Sequence, residues 1–313
     1  NRKSWWQVIN TLIPYLGLWV AMVILFRINY WLVLPLIFLS AGFLVRLFII
    51  FHDCGHGSFF NSKKLSVVLG YFLGILTFTP YHRWHHAHLI HHQTVGNLDK
   101  RGTGDVNTLT VDEYLSLPKI KQLYYRIYRN PCIMFGIGAP AIFLITNRLT
   151  RKTFTVREKI SVYITNTGLI ILATTMYFTI GLKLFLLIQI PVMYVASVAG
   201  VYLFYVQHQF ENTHWYNDAE WDFKTVAING SSFFKLPALL QWFTGSIGFH
   251  HVHHLSSKIP NYRLQKCHEE NDMFHIVKPI TLAASFKTTS LKLWDTKQGN
   301  LVGFKEISIQ RQT

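Results

Sequence analysis

Four near-continuous apolar runs, from about Thr11 to Phe26, Trp31 to Ile50, Ser161 to Ile180 and Leu184 to Val206, restrict this chain to few folds. Each approaches the roughly 20 residues that an α-helix needs to cross the hydrocarbon of a bilayer. Without water, every backbone N–H and C=O must find an internal partner, so runs of this kind become helices. They come in pairs, the first parted by Arg27, Asn29 and Tyr30 and the second by Gly181 and Lys183, which reads as two helical hairpins. Half of the 313 residues are hydrophobic and only 14% are charged, too apolar a balance for a soluble enzyme of this length. The expected architecture is all-α and integral to a membrane. Transmembrane helices are expected at about 11–26, 31–50, 161–180 and 184–206, and residues 51–160 and 207–313 form a cytoplasmic or interfacial helical cap in one domain.

Lys and Arg number 30 against 15 Asp and Glu, and the excess avoids the hairpin turns, which carry one basic residue each, Arg27 and Lys183. Arg2 and Lys3 precede the first run. Lys119, Lys121, Arg126, Arg129, Arg148, Arg151, Lys152, Arg157 and Lys159 precede the third. The positive-inside rule therefore puts both turns outside and both termini and the cap in the cytoplasm. A basic cytoplasmic face also attracts anionic headgroups or an acidic protein. Two further apolar stretches, Leu65 to Pro80 and Pro131 to Ile145, are shorter, about 15 residues, and interrupted by Gly and Pro. They are expected to lie in or on the cytoplasmic leaflet. Cys54, Cys132 and Cys267 are scattered and predict no disulfide framework. The first run reads as a span and not a cleavable leader.

Eight histidines fall in three groups: His52 and His56 in HDCGH, His88, His91 and His92 in HLIHH, and His250, His253 and His254 in HHVHH. Spacings of three and four bring side chains to one helical face, so each group can aim its imidazoles at a single point. Imidazole is the commonest metal ligand, and eight rings exceed what one tetrahedral ion uses. Two metal ions are the natural reading. His52 and His56 directly follow the second run and His208 directly follows the fourth, where helices emerge from the bilayer. If the two shorter apolar stretches crossed, these groups would be separated. YHRWHHAHLIHH repeats one spacing, first in His82, His85 and His86 and then in His88, His91 and His92. Six helical residues turn through about 600°, so the two sets face differently, and spacing leaves open which is the primary triplet.

These residues carry a resemblance to the integral-membrane fatty acid desaturases, above all the acyl-lipid enzymes of Δ12 (ω6), ω3 or Δ5 type, and among them bacterial members. The family pattern is HxxxH, HxxHH some thirty residues on, and a distant HxxHH. It is matched by HDCGH at 52–56, PYHRWHHAHLIHH at 80–92 and HHVHHL at 250–255 followed by IPNY at 259–262, with VQH at 206–208 and EWD at 220–222 between. The similarity runs from about Phe51 to Ile276. Placing the family's Pro-Tyr and Trp on Pro80, Tyr81 and Trp84 assigns its second box to His88, His91 and His92. The resemblance implies a non-haem di-iron centre ligated by histidine alone, and adds His208 as a ninth ligand. His251, where the family has a small or apolar residue, and His82, His85 and His86 are then expected outside the ligand set.

The function so implied is an O2-dependent acyl-lipid desaturase that places a cis double bond in a long acyl chain, with two iron ions as cofactor and O2 as co-substrate. Removing two hydrogens from an unactivated methylene pair is beyond any side chain and needs an oxygen-activating metal. Metal-bound imidazoles donate their second N–H to a carboxylate or carbonyl. Asp53, Asp99, Asp105, Glu211, Glu220 and Asp222 lie near the groups in sequence. Of these, Asp99 and Asp222 are expected to orient ligands, against the alternatives of loop capping or a salt bridge with Lys100 or Arg101. No GxGxxG, flavin, CxxC or fused haem signature appears, so no bound organic cofactor is expected. Electrons then come from an external ferredoxin or b-type cytochrome to an enzyme of the bacterial cytoplasmic membrane; no nucleic-acid partner is expected. A hydroxylase or ketolase shares the histidine pattern and is the alternative. A metal transporter is disfavoured, because Arg46 is nearly the only ionisable residue within the runs.

Overall fold

A computed structural model describes residues 1–310, with side chains as far as Ile307. Helix α1 (Arg2–Phe26) and helix α2 (Leu34–His56) form the first hairpin, joined through a 3-10 turn at Tyr30–Leu32. Helices α3 (Lys63–Leu76) and α4 (Tyr81–Thr94) follow as a pair bent by 102°. Two short helices, α5 (Val111–Ser116) and α6 (Lys119–Tyr128), lead to a broken stretch made of α7 (Pro131–Ile133), a π-turn at Met134–Gly138, α8 (Ala139–Leu144) and a 3-10 turn. Helices α9 (Val156–Thr179) and α10 (Leu182–His208) make the second hairpin. The remainder carries α11 (Phe223–Asn229), α12 (Ala238–Phe243), α13 (His250–Leu255), α14 (Asn261–Glu269), α15 (Leu282–Thr288) and α16 (Phe304–Gln310).

The all-α expectation is corrected to mostly helical. Strand β1 (Phe233–Lys235) pairs in parallel with β2 (Pro279–Thr281), and β3 (Leu293–Asp295) pairs antiparallel with β4 (Asn300–Val302). These short segments are bounded by Gly or Pro (Gly230, Pro237, Pro279, Gly299 and Gly303), which halt helices, so their backbone groups pair across the chain instead.

Helix α2 lies at the centre, packed by α1, α3 and α10 around Met22, Leu47, Ile50, Phe51, Ile188 and Val192. Outward from that core, Ile13, Val20, Ile170 and Phe178 are each at least 60% exposed. Bare isoleucine and phenylalanine over several helices suit hydrocarbon, not water. Five helical stretches among the described residues are long and apolar enough to cross a membrane, Pro131–Arg148 among them, and the bent α3–α4 pair makes a sixth if it counts as one span. Length and composition therefore admit more crossings than the four expected.

Helix α1 starts well before Thr11 because its first turns have polar partners in the cap. Ser4 Oγ donates to the Phe59 carbonyl (2.7 Å) and Gln7 Nε2 to Asn261 Oδ1 (2.7 Å). Arg46 is buried in the same region. It donates to Thr11 Oγ1 and to the Trp242 carbonyl, with its guanidinium 3.9 Å from the Trp242 ring centroid. The α3–α4 bend is closed by contact: a Cβ at Gly70 would stand 2.2 Å from the Tyr81 ring, and Tyr81 Oη donates to the Cys54 carbonyl (2.8 Å). That contact sets α4 against the end of α2, where the first histidines lie.

Candidate metal centre

Nine histidines on α2, α4, α10 and α13 meet beneath the membrane-type helices, none more than 9% exposed. They divide into two sets, His52, His56, His88, His92 and His253, and His91, His208, His250 and His254. The division cuts through the sequence motifs. On a helix, residues four apart differ by about 40° in direction while the residue at i+3 lies about 100° from the one at i+4. His88 and His92 on α4 therefore face the first set, joined by His253 from α13. His250 and His254 face the second, joined by His91 from α4. Motifs two and three thus each serve both sets, which corrects the expectation that one motif aims at one point.

Inside each set the ring nitrogens converge. Nε2–Nε2 separations are 3.0 Å for His52–His88, 3.1 Å for His88–His92 and 3.0 Å for His92–His253. In the second set they are 3.1 Å for His91–His208, 2.9 Å for His208–His250 and 3.1 Å for His250–His254. Two nitrogens bound to one ion at about 2.1 Å with bonds at right angles stand about 3.0 Å apart. His56 Nε2 is buried with no hydrogen-bond partner. Buried neutral rings whose Nε2 atoms crowd a common point in this way are poorly satisfied by one another, and a metal ion at each point would satisfy them.

Three of the outer nitrogens are held by a carboxylate or a backbone carbonyl, whereas Nδ1 of His250, His253 and His254 is buried without a partner. His52 Nδ1 donates to Asp53 Oδ1 (3.1 Å), His91 Nδ1 to Asp105 Oδ1, and His208 Nδ1 to the Gly230 carbonyl (3.3 Å). Each bond fixes the tautomer that leaves the Nε2 lone pair facing inward. Burial, then the neighbouring rings, holds His88, His92, His250, His253 and His254 well below the ordinary imidazole value of 6.5. They are neutral at neutral pH, as metal ligation requires. Trp84 stacks on His88 at 4.4 Å, and Phe204 lies 5.1 Å from His91 and 5.2 Å from His208, keeping water from the outer edges of the rings.

Asp99 and Asp222, expected to orient ligands, make their hydrogen bonds elsewhere. Asp99 Oδ2 accepts from the Asp218 backbone (2.8 Å), and exposed Asp222 caps α11 by accepting from Thr225 N (2.9 Å). Both sit in turns where the nearest donors are backbone N–H groups, so the loop-capping alternative describes them. Glu211 and Glu220 are exposed. Four histidines outside the sets have partners elsewhere: His86 Nδ1 donates to Glu158 (3.1 Å), His85 lies parallel to Tyr81, and His251 Nε2 meets His268 Nδ1 (3.0 Å).

One contributor escaped the sequence reading. Arg129 is fully buried and donates to Gln209 Oε1 (2.9 Å), Thr108 Oγ1 (2.8 Å) and the carbonyls of Asn107 (3.1 Å) and Leu291 (3.0 Å). It ties the residue after His208 to the segment that carries Asp105. The polar stripe Gln122, Tyr125 and Arg129, at helical spacing and opposite Ile120, Leu123, Tyr124 and Ile127, was the available signal.

A bundle of apolar helices over two all-histidine clusters, each able to hold a metal ion, defines a membrane-type metal-binding protein, and comparison narrows it. Residues 28–275 match the family model described as fatty acid desaturase. The chain is 46% identical over 307 residues to a fatty acid desaturase of Bacillus subtilis (strain 168), covering 98% of this chain and 87% of that one. It is 28% identical over 281 residues to an sn-1 acyl-lipid omega-3 desaturase (ferredoxin) of Nostoc sp. (84% and 72% covered). With an sn-2 acyl-lipid omega-3 desaturase (ferredoxin) of the chloroplast of Arabidopsis thaliana it shares 29% identity over 266 residues (77% and 56%). The chain belongs to the fatty acid desaturase family and is an oxidoreductase of lipid metabolism.

Proposed function

We propose that this protein desaturates the acyl chains of membrane lipids at a di-iron centre held by His52, His56, His88, His92 and His253 on one side and His91, His208, His250 and His254 on the other. The observation that carries the reading is the pair of Nε2 clusters spaced at 2.9–3.1 Å. An all-nitrogen neutral donor set suits iron, copper, nickel or zinc, and the family narrows the choice to iron. Bound iron would supply the O2 activation that removal of hydrogens from a methylene pair demands. The protein's part is positional: Asp53 and Asp105 keep Nε2 lone pairs inward, and Trp84 and Phe204 exclude water.

We read the chain as crossing the membrane four times. His52 on α2, His88 and His91 on α4 and His208 on α10 share one site, and His86 reaches Glu158 at the start of α9. The chain thus returns to the same end of the bundle between α2 and α4 and again between α4 and α9. Lone intervening stretches that leave and re-enter on one side fit re-entrant or interfacial segments. The basic excess supports reading that side as the cytoplasmic one. Relatives named for ferredoxin support an external one-electron carrier as the reductant.

The test is lipid fatty-acid analysis of a host that expresses the chain together with an electron donor, beside His88→Ala, His254→Ala and His85→Ala. A new unsaturated species lost in the first two variants and kept in the third is expected. Hydroxylated acyl products, or a profile unchanged by the intact chain, would overturn it.

A further inference from the structure

Helix α6 is built inside out. At about 100° per residue, Gln122, Tyr125 and Arg129 point one way and Ile120, Leu123, Tyr124 and Ile127 point roughly 180° from them. The polar stripe is buried and the apolar stripe is bare, with Ile120 55%, Leu123 51%, Tyr124 64% and Ile127 46% exposed. The polar stripe is spoken for: Gln122 Nε2 donates to the Leu117 carbonyl (2.9 Å), Tyr125 Oη to the Lys292 carbonyl (2.6 Å), and Arg129 to Gln209 and Thr108. Exposed Lys119 and Lys121 stand on opposite flanks of the apolar stripe, near its boundary with the buried face. Past Pro131 the chain carries further exposed isoleucines, Ile133 and Ile137.

We propose that α6 lies flat in the headgroup layer of the cytoplasmic leaflet. Its isoleucine, leucine and tyrosine stripe sits in lipid, and Lys119 and Lys121 take anionic headgroups along its edges. This rests on the reading of the chain as membrane-embedded. Three features favour a bilayer over a protein partner: the stripe is followed directly in sequence by Pro131–Arg148, apolar enough to enter a membrane, its two edges are cationic, and the whole chain carries an excess of 15 positive charges. Through Arg129 the helix is also tied to Gln209, next to His208. Seating in lipid therefore braces the second histidine set from outside the bundle.

The test uses the full chain in nanodiscs, with Cys132 and Cys267 replaced by Ser and a nitroxide placed at Leu123→Cys. Accessibility to O2 is compared with accessibility to a water-soluble nickel chelate, and labels at Ile13→Cys and Ile170→Cys serve as span references. The Leu123 label is expected to favour O2. Replacing part of the phosphatidylcholine with phosphatidylglycerol should raise that preference by at least about twofold, and Lys119→Gln with Lys121→Gln should abolish the rise. A Leu123 label open to the chelate while the span labels stay in lipid would overturn the proposal alone. If the span labels are also open to the chelate, the membrane reading itself fails. Dipolar broadening between copies with both reagents excluded would assign the stripe to a second copy, and an absent phosphatidylglycerol effect would remove the headgroup role of the lysines.

Discussion

Replacing Asp53 by Asn probes how the first histidine set is held. The carboxylate is 1% exposed, and its Oδ1 accepts from His52 Nδ1 at 3.1 Å. Oδ2 accepts from the Asn261 backbone N (2.6 Å) and from Asn261 Nδ2 (2.8 Å), and Asn261 in turn accepts from Gln7 on α1. An amide has the same shape and only one acceptor. Two donors face Oδ2 and one faces Oδ1, so the amide oxygen stays with Asn261 and its NH2 is turned against the His52 N–H. One unpaired buried donor costs roughly 1–3 kcal/mol. Loss of the group that sets a ligand's tautomer lowers metal affinity by about 10–100-fold, equivalent to about 1.4–2.7 kcal/mol. The assay is iron retained per chain against a graded chelator, with the thermal midpoint in detergent measured beside it and Asp99→Asn and Asp222→Asn as comparisons. Asp53→Asn is expected to release iron at lower chelator while the comparisons hold it. If Asp53→Asn held iron to within about twofold of the parent chain, the reasoning on His52 would be refuted.

Gly248 lies in backbone contact with β1, where an added Cβ would stand 2.3 Å from the Phe234 carbonyl oxygen, so Gly248→Ala should displace α13 and cost roughly 1–3 kcal/mol in a denaturation series. Gly17→Ala, at a helical position with nothing within 4 Å of the new carbon, should be neutral or stabilise by about 0.5–1 kcal/mol in the same series. Arg129→Lys keeps the charge and loses the fork to Gln209 and Thr108, so native mass spectrometry should find iron lost first from the set that contains His208; equal loss from both sets would indicate general unfolding instead. His88, His92, His250, His253 and His254 are neutral in the fold and protonate more readily in the unfolded chain. The stability they contribute is present above about pH 6.5 and is lost as pH falls below it, so the thermal midpoint of the metal-free protein should drop between pH 7.5 and 5.5.

The histidines were legible because helical spacing converts position into direction, and eight of the nine stand at such spacings; His208 entered through the family resemblance. Their division between two sets was not legible. It depends on how α4 faces α13, and only that crossing reveals that His91 and His253 change sides. The choice between His82, His85 and His86 and the later triplet came from the resemblance, and the later triplet is the one that joins the sets. Asp99 and Asp222 were favoured by proximity in sequence, yet Asp53 and Asp105 carry the contacts, because reach to an outer nitrogen depends on side-chain direction. The hairpins followed from hydropathy, whereas the early start of α1 required its polar partners Phe59 and Asn261 to be seen in place.

Iron counted per chain, together with X-ray absorption at the iron edge, tests the central claim most directly. The account predicts two iron ions per chain, a first shell of nitrogen and oxygen at about 2.1 Å with imidazole scattering behind it, and loss of one ion before the other in His88→Ala and in His254→Ala. A single iron, a sulfur shell, or an iron content indifferent to both substitutions would contradict it.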